Sequence, residues 1–558
     1  AASVPPPWDE DVVNVSDATH KDVPVMPMIQ DIEGVGAQNI NATTLNILSG
    51  GELVLTNGAR LAHYNYSHTG NPAIVGMSVN MSGGKLTITN GSGFSSIDAN
   101  TAHIGGGEIT LTGTADGSWE NAAYIGAYKG MDITGGTVNM GVNSELFAGN
   151  HLSITGGTIN MQGTATSGDF GNNAAHIMFT GGENTIGGTA VINVVNGKYG
   201  VITTGPELNI TDGKINVAGN LLLQSDVTRG ASLMYAGDET STVNQTGGTV
   251  AVAAGGALNI NRGVEYRVSD SGKLSNAGTV TLTEGSSLRL KDGGVLTGVS
   301  GTSKFVVEDA DTSNDIHTNL RFSSENFKEA QKGQIQINGG FVMADGAGSI
   351  AASKLVKATN SAGEIGFGSP SNLYVEQLTL TGADTLGNNL DASTGGLTSD
   401  TLEIQTTSGT STVTNLSLVL TGNNSRLNVT GGSGDGTLLL NNASTALLIG
   451  ADPQLYGGTQ TATINAAVTL ANQGMLHVGD AQTGSVATAT FTKDVTLANG
   501  SLVVAEGSTM NLDSGATLDV QAGSVNLSGT LNVDGTLKSA SAGDGSTTGI
   551  NVLQNGVL

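Results

Sequence analysis

The residues of this 558-residue chain that are suited to chemistry are few and scattered. Asp309, Asp311, Ser313 and Asp315 alternate oxygen side chains along D-A-D-T-S-N-D, as the front half of a calcium loop does when carboxylates and hydroxyls gather around a hard cation. The central Gly and the distal Glu of such a loop are missing, so a solvated acidic turn accounts for the run equally well. His63 and His68 have no acid or Cys in register for metal ligation. Tyr64, Tyr66 and His68 fall on one face if their segment is a strand, and Trp119, Tyr124 and Tyr128 form a second aromatic group. Such rings stack on sugars, anchor a protein partner, or simply pack on neighbouring parts of the chain. Nucleophile elbows, zinc-protease motifs and phosphate loops are absent, and Gly543-Asp544-Gly545-Ser546 has the wrong order for a Gly-Asp-Ser-Gly nucleophile loop. The acids are scattered rather than paired, and the chain is not expected to be an enzyme or, calcium apart, to hold a cofactor.

The elements that would position these residues follow from a repeat. Residues 131–140, M-D-I-T-G-G-T-V-N-M, return as L-S-I-T-G-G-T-I-N-M at 152–161. Looser copies recur about every 20 to 35 residues, the variation expected of solenoid coils that carry loops of their own. Within each copy an Asn lies between two aliphatic residues, as in V-N-M, I-N-M and I-N-V. That is strand alternation, with aliphatics on one face and Asn on the other. The Gly-Gly pair ahead of each strand supplies a corner. Ile133, Val138, Met140, Ile154, Ile159, Met161, Ile210, Ile215 and Val217 are therefore expected inside, and the Asn residues outside, where they could stack into ladders.

Glycines at 500, 507, 515, 523, 529 and 535 separate short aliphatic runs, so that every third one advances the chain by roughly one coil. The fold class expected is all-β, a parallel β-helix (β-solenoid) with about three short strands per coil, drawn out into a single elongated rod. The terminal coils are expected to be the most regular.

Composition agrees. There are 84 glycines and only 12% charged residues, which suits short strands and tight corners and not a helical protein. A net charge of −26 argues against nucleic acid as partner. The absence of cysteine excludes disulfides and thiol catalysis. No apolar run is long enough for a membrane-spanning helix. The chain begins at Ala1 without signal-peptide features, as a processed form would.

Four parts are expected. Residues 1–40 are rich in Pro and carry large apolar groups, including Trp8, Val25, Met26, Met28 and Ile29. They read as an extended arm that either caps its own solenoid or docks on a neighbour. Residues 41–299 form a first length of rod, 300–370 an irregular insertion with a short helix near 324–332, and 371–558 a second length of rod.

The Gly-Gly-Thr corners, the aliphatic-Asn-aliphatic strands and the acidic, Cys-free composition together resemble the secreted passenger of a bacterial autotransporter, of the adhesin or self-associating type. The resemblance implies a right-handed β-helix displayed outside a Gram-negative cell, at its surface or released from it. The partners it implies are like rods, or a host or cell-surface protein or glycan, with a homo-oligomer or filament as one outcome. A structural subunit of an extracellular filament or surface layer is the next reading, and a polysaccharide-processing β-helix the third.

Overall fold

The computed structural model is all-β. It describes residues 12–15, 28–30, 39–41, 43–56, 58–62, 64–65, 73–74, 77–89, 95–116, 118, 121–164, 173–225, 241–261, 263–283, 285–290, 293–308, 318–322, 331–338, 341–344, 349–359, 364–367, 372–381, 384–387, 395–431, 434–450, 460–480, 484–540 and 549–558. Among them there is no helix. The chain divides into two compact units, 1–297 and 298–558.

In the first unit every coil contributes one strand to each of three parallel sheets. Ala123–Met140 shows the order of travel in one continuous strand. Residues 123–127 join one sheet, 131–133 a second and 137–140 a third, each paired in parallel with the coil that follows. The two copies of the decapeptide lie directly on one another, with Met131 beside Leu152, Ile133 beside Ile154, Val138 beside Ile159 and Met140 beside Met161. All nine residues expected inside are buried. Their alternation with polar residues places a row of aliphatics along each inner face, at about 1.5–3 kcal/mol of hydrophobic stabilisation per fully buried side chain.

The corners are as tight as the Gly pairs require. Gly136 and Gly157 have φ of 80° and 76°. A Cβ on Gly157 would stand 2.7 Å from the carbonyl oxygen of Gly135 in the preceding coil. Any other residue would meet both strain and a clash with a backbone that cannot yield.

The second unit repeats the plan. Ser501–Val504, Thr509–Leu512 and Thr517–Val520 are followed by Ser524–Leu527, Thr530–Val533 and Thr536–Ser539. Each of the first three pairs in parallel with its counterpart in the second set. The strands read from the terminal glycine spacing are thus present and correctly grouped.

In the described parts of residues 1–41, expected as an extended arm or a cap, Val12–Val15 pairs with residues 44–47, Met28–Gln30 with 54–56 and Asn39–Asn41 with 60–62, all in parallel. Val13-Asn14-Val15 carries the same aliphatic-Asn-aliphatic signal as the later strands, and the surrounding prolines mask it. Within the second unit, strands also lie in the segment expected to be an insertion, where Gln331–Asn338, Ser349–Thr359 and Asn372–Thr381 pair in succession and in parallel. Gln331 and Lys332, the end of the expected helix, begin a strand, and residues 324–330 lie outside the described residues.

Candidate binding faces

The sheet that contains residues 137–140 has an outer face of long, register-matched columns. Its first outward column runs Glu52, Lys85, Glu108, Thr137 and Thr158, then Val191, Lys214, Thr249 and Lys273. Two residues along each strand, the second column contains Thr87 and Thr110 and then Asn139, Asn160, Asn193 and Asn216.

These four asparagines form a ladder. Asn160 Nδ2 donates to Asn139 Oδ1 at 2.9 Å, Asn193 to Asn160 at 3.0 Å and Asn216 to Asn193 at 2.9 Å. At its end Asn139 donates to Glu108 Oε1 at 3.2 Å. The bonded residues are 21, 33 and 23 apart in sequence, so loops of unequal length intervene without disturbing the register. Asn139, Asn160 and Asn193 each use one N–H and one lone pair in these bonds and Asn216 one N–H, so every amide keeps a further donor and acceptor site.

A different arrangement occupies the sheet formed by residues 95–99, 123–127, Ser144–Ala148, Ala175–Phe179, Tyr199–Thr204 and Asn220–Ser225. Here both faces are buried in the central coils, as every residue of Ser144–Ala148 and Ala175–Phe179 shows. Tyr124, Phe147 and Met178 form an apolar cluster on the outer side. The rings of Tyr124 and Phe147 stack with centroids 6.3 Å apart, and Tyr128 meets Phe147 edge-on at 5.6 Å. Gly126 makes room for this, because a Cβ there would stand 2.2 Å from Tyr124 Oη.

Polar groups flank the cluster. Asp98, 2% exposed, is held by Arg60 at 3.1 Å and by Ser96 Oγ at 2.9 Å, and Tyr128 donates to its other oxygen at 3.4 Å. Burial raises the Tyr124 hydroxyl far above the ordinary phenol range, and raises Tyr128 as well, with the Asp98 charge adding to the effect. Further along, Glu145 Oε2 lies 3.4 Å from His176 Nδ1, and His176 Nε2 lies 2.7 Å from Thr203 Oγ1. Gln224 donates to that same hydroxyl oxygen at 3.1 Å. One assignment satisfies every step: Gln224 donates to Thr203, Thr203 to Nε2, and the Nδ1–H faces Glu145. Neither oxygen of Glu145 accepts a hydrogen bond among the described residues, so this carboxylate depends on His176.

Of the residues singled out in the sequence, Tyr124 and Tyr128 come together here, Tyr124 buried and Tyr128 39% exposed at the rim. Tyr64 begins a two-residue strand antiparallel to Ala73–Ile74. Met28 and Ile29 sit in the strand of the first coil. Trp8, Val25, Met26, His63, Tyr66, His68, Trp119 and the calcium candidates Asp309, Asp311, Ser313 and Asp315 lie outside the described residues. Among the described residues no three His, Asp or Glu side chains are grouped so as to hold a metal, and no helix is long and apolar enough to cross a membrane. Glu145, His176, Thr203 and Gln224 were missed because they are far apart in sequence. The legible signal was the loss of alternation in A-H-I-M-F and S-E-L-F-A, where polar residues sit within runs that bury both faces.

Comparison with protein-family models, with curated proteins and with solved structures gives no match for this chain.

Proposed function

We propose that this chain is a surface-displayed or secreted β-solenoid of the autotransporter-passenger type, whose repeated outer faces mediate adhesion or self-association. The observation that carries the reading is the in-register repetition of outward polar groups, seen in the ladder from Asn139 to Asn216. A face that offers the same amide on four successive coils, with threonine hydroxyls on others, makes many weak contacts at once, and such contacts add through avidity. The catalytic alternative would rest on Glu145, His176 and Thr203, which stand in the order of an acid, a base and a nucleophile. Thr203 is only 4% exposed and its oxygen is already engaged by His176 and Gln224, which supports a bracing role instead.

Beads coated with the purified chain should cluster with one another or bind cell or glycan surfaces, whereas beads coated with an unrelated acidic globular protein should do neither. Chain-coated beads that stay dispersed and bind no such surface would remove the reading.

A further inference from the structure

The charges on the ladder face are arranged as if for a two-fold partner. Of the two outward columns described above and the third outward position that follows them, only Glu52, Lys85, Glu108, Lys214 and Lys273 are charged. Three lysines and two glutamates give this face a net charge of +1 (3 − 2), although the chain carries −26. Two copies approaching through this face therefore escape the like-charge repulsion that the overall acidity of the chain imposes.

The order of the charges matters more than their sum. Taking the coil of Thr158 as centre, Glu108 lies two coils before it and Lys214 two coils after, while Glu52 lies four before and Lys273 four after. A two-fold axis through that coil, parallel to its strands, sets two copies face to face and antiparallel. Each column then opposes itself in reverse order. Both glutamates of each copy meet lysines of the other, and Lys85 meets the neutral Thr249. At the third outward position Val195, 37% exposed, comes opposite Gly141, which has no side chain to obstruct it. A parallel pairing offers no such opposition, and an axis through a neighbouring coil pairs fewer of the glutamates.

We infer that the ladder face of the first unit is an antiparallel docking surface for a second copy of this chain, centred on Thr158 and Asn160 and registered by Glu52, Glu108, Lys214 and Lys273. The inference rests on the self-association part of the reading above. Nine coils at about 4.8 Å, about 15 Å wide, give about 650 Å² per copy. That falls at the lower end of stable interfaces, as suits a contact made strong by multiplicity.

The test is charge reversal in the full chain, read by sedimentation at low salt. The wild type should self-associate, more weakly as salt is added. E52K/E108K alone and K214E/K273E alone should each lose association by roughly 100-fold, since all four opposed pairs then repel. An equimolar mixture of the two should restore it, because every pair is again opposite in sign. Association of either variant alone at wild-type strength would overturn the interface and leave self-association standing. Failure of the mixture to associate, with both variants folded by circular dichroism, would overturn it too. A wild type that stays monomeric would remove this inference together with the self-association reading, leaving adhesion to be judged by the bead experiment.

Discussion

The ladder sheet and the doubly buried sheet are built by the same coils and solve opposite problems. On the ladder sheet one face is wet, so alternation is strict and the outward Asn residues satisfy one another in a row. On the other sheet the outer side is dry, so every polar group there needs a specific partner, and Glu145 has only His176. Repetition therefore suffices to specify the first face, while the second depends on particular pairs. Losing one member should cost little on the ladder and much on the dry side.

The inner face common to both gives the largest expected effect. Ile159→Asp would bury an unpaired charge in the core and should lower stability by about 4 kcal/mol or more. Denaturant unfolding of the first unit reads this out, and an unchanged midpoint would reject the strand register.

Next comes the dry side. His176→Ala should cost about 3–5 kcal/mol, because Glu145 is left buried without a partner. The double variant E145L/H176L should recover most of that loss, since an apolar pair of similar volume makes no demand for partners. If the double variant is as unstable as the single one, the two residues are not coupled and the contrast between the sheets fails.

On the wet side, Asn160→Ala removes two ladder hydrogen bonds and should cost about 1–2 kcal/mol, whereas Asn216→Ala removes its bond to Asn193 and should cost about half as much. Equal effects at the two positions would show that the ladder does not act as a row.

The smallest effect is expected at an exposed corner of the second unit. Asp384 accepts from the backbone N–H groups of Thr407 and Ser408 and from both their hydroxyls, and these bonds, Ser408 N–H foremost, lower its pKa to about 2. A folded-state pKa below the ordinary aspartate value means that the stabilisation is complete above about pH 4 and is lost as pH falls towards 2. Because the carboxylate is exposed, the consequence is local. Exchange of the Thr407 and Ser408 amides, corrected for intrinsic rates, should accelerate between pH 4 and 2, and Asp384→Asn should abolish that pH dependence.

The aliphatic-Asn-aliphatic motif determined the parallel solenoid, the inward residues and the outward asparagines, because period two leaves a strand no other way to bury one face. The Gly-Gly pairs determined the corners for an equally local reason. Where prolines or charges obscured the same signal, in residues 12–41 and 331–381, the strands nevertheless pair in parallel, since pairing with a neighbouring coil outweighs weak local preference. Which outward residues meet was decided by the tertiary structure alone. Coils of 21, 33 and 23 residues bring each Asn onto the next, and a spacing of 27 sets His176 against Thr203. These distances are set by how many residues each loop absorbs before the chain returns to its register, and that number has no periodicity to read.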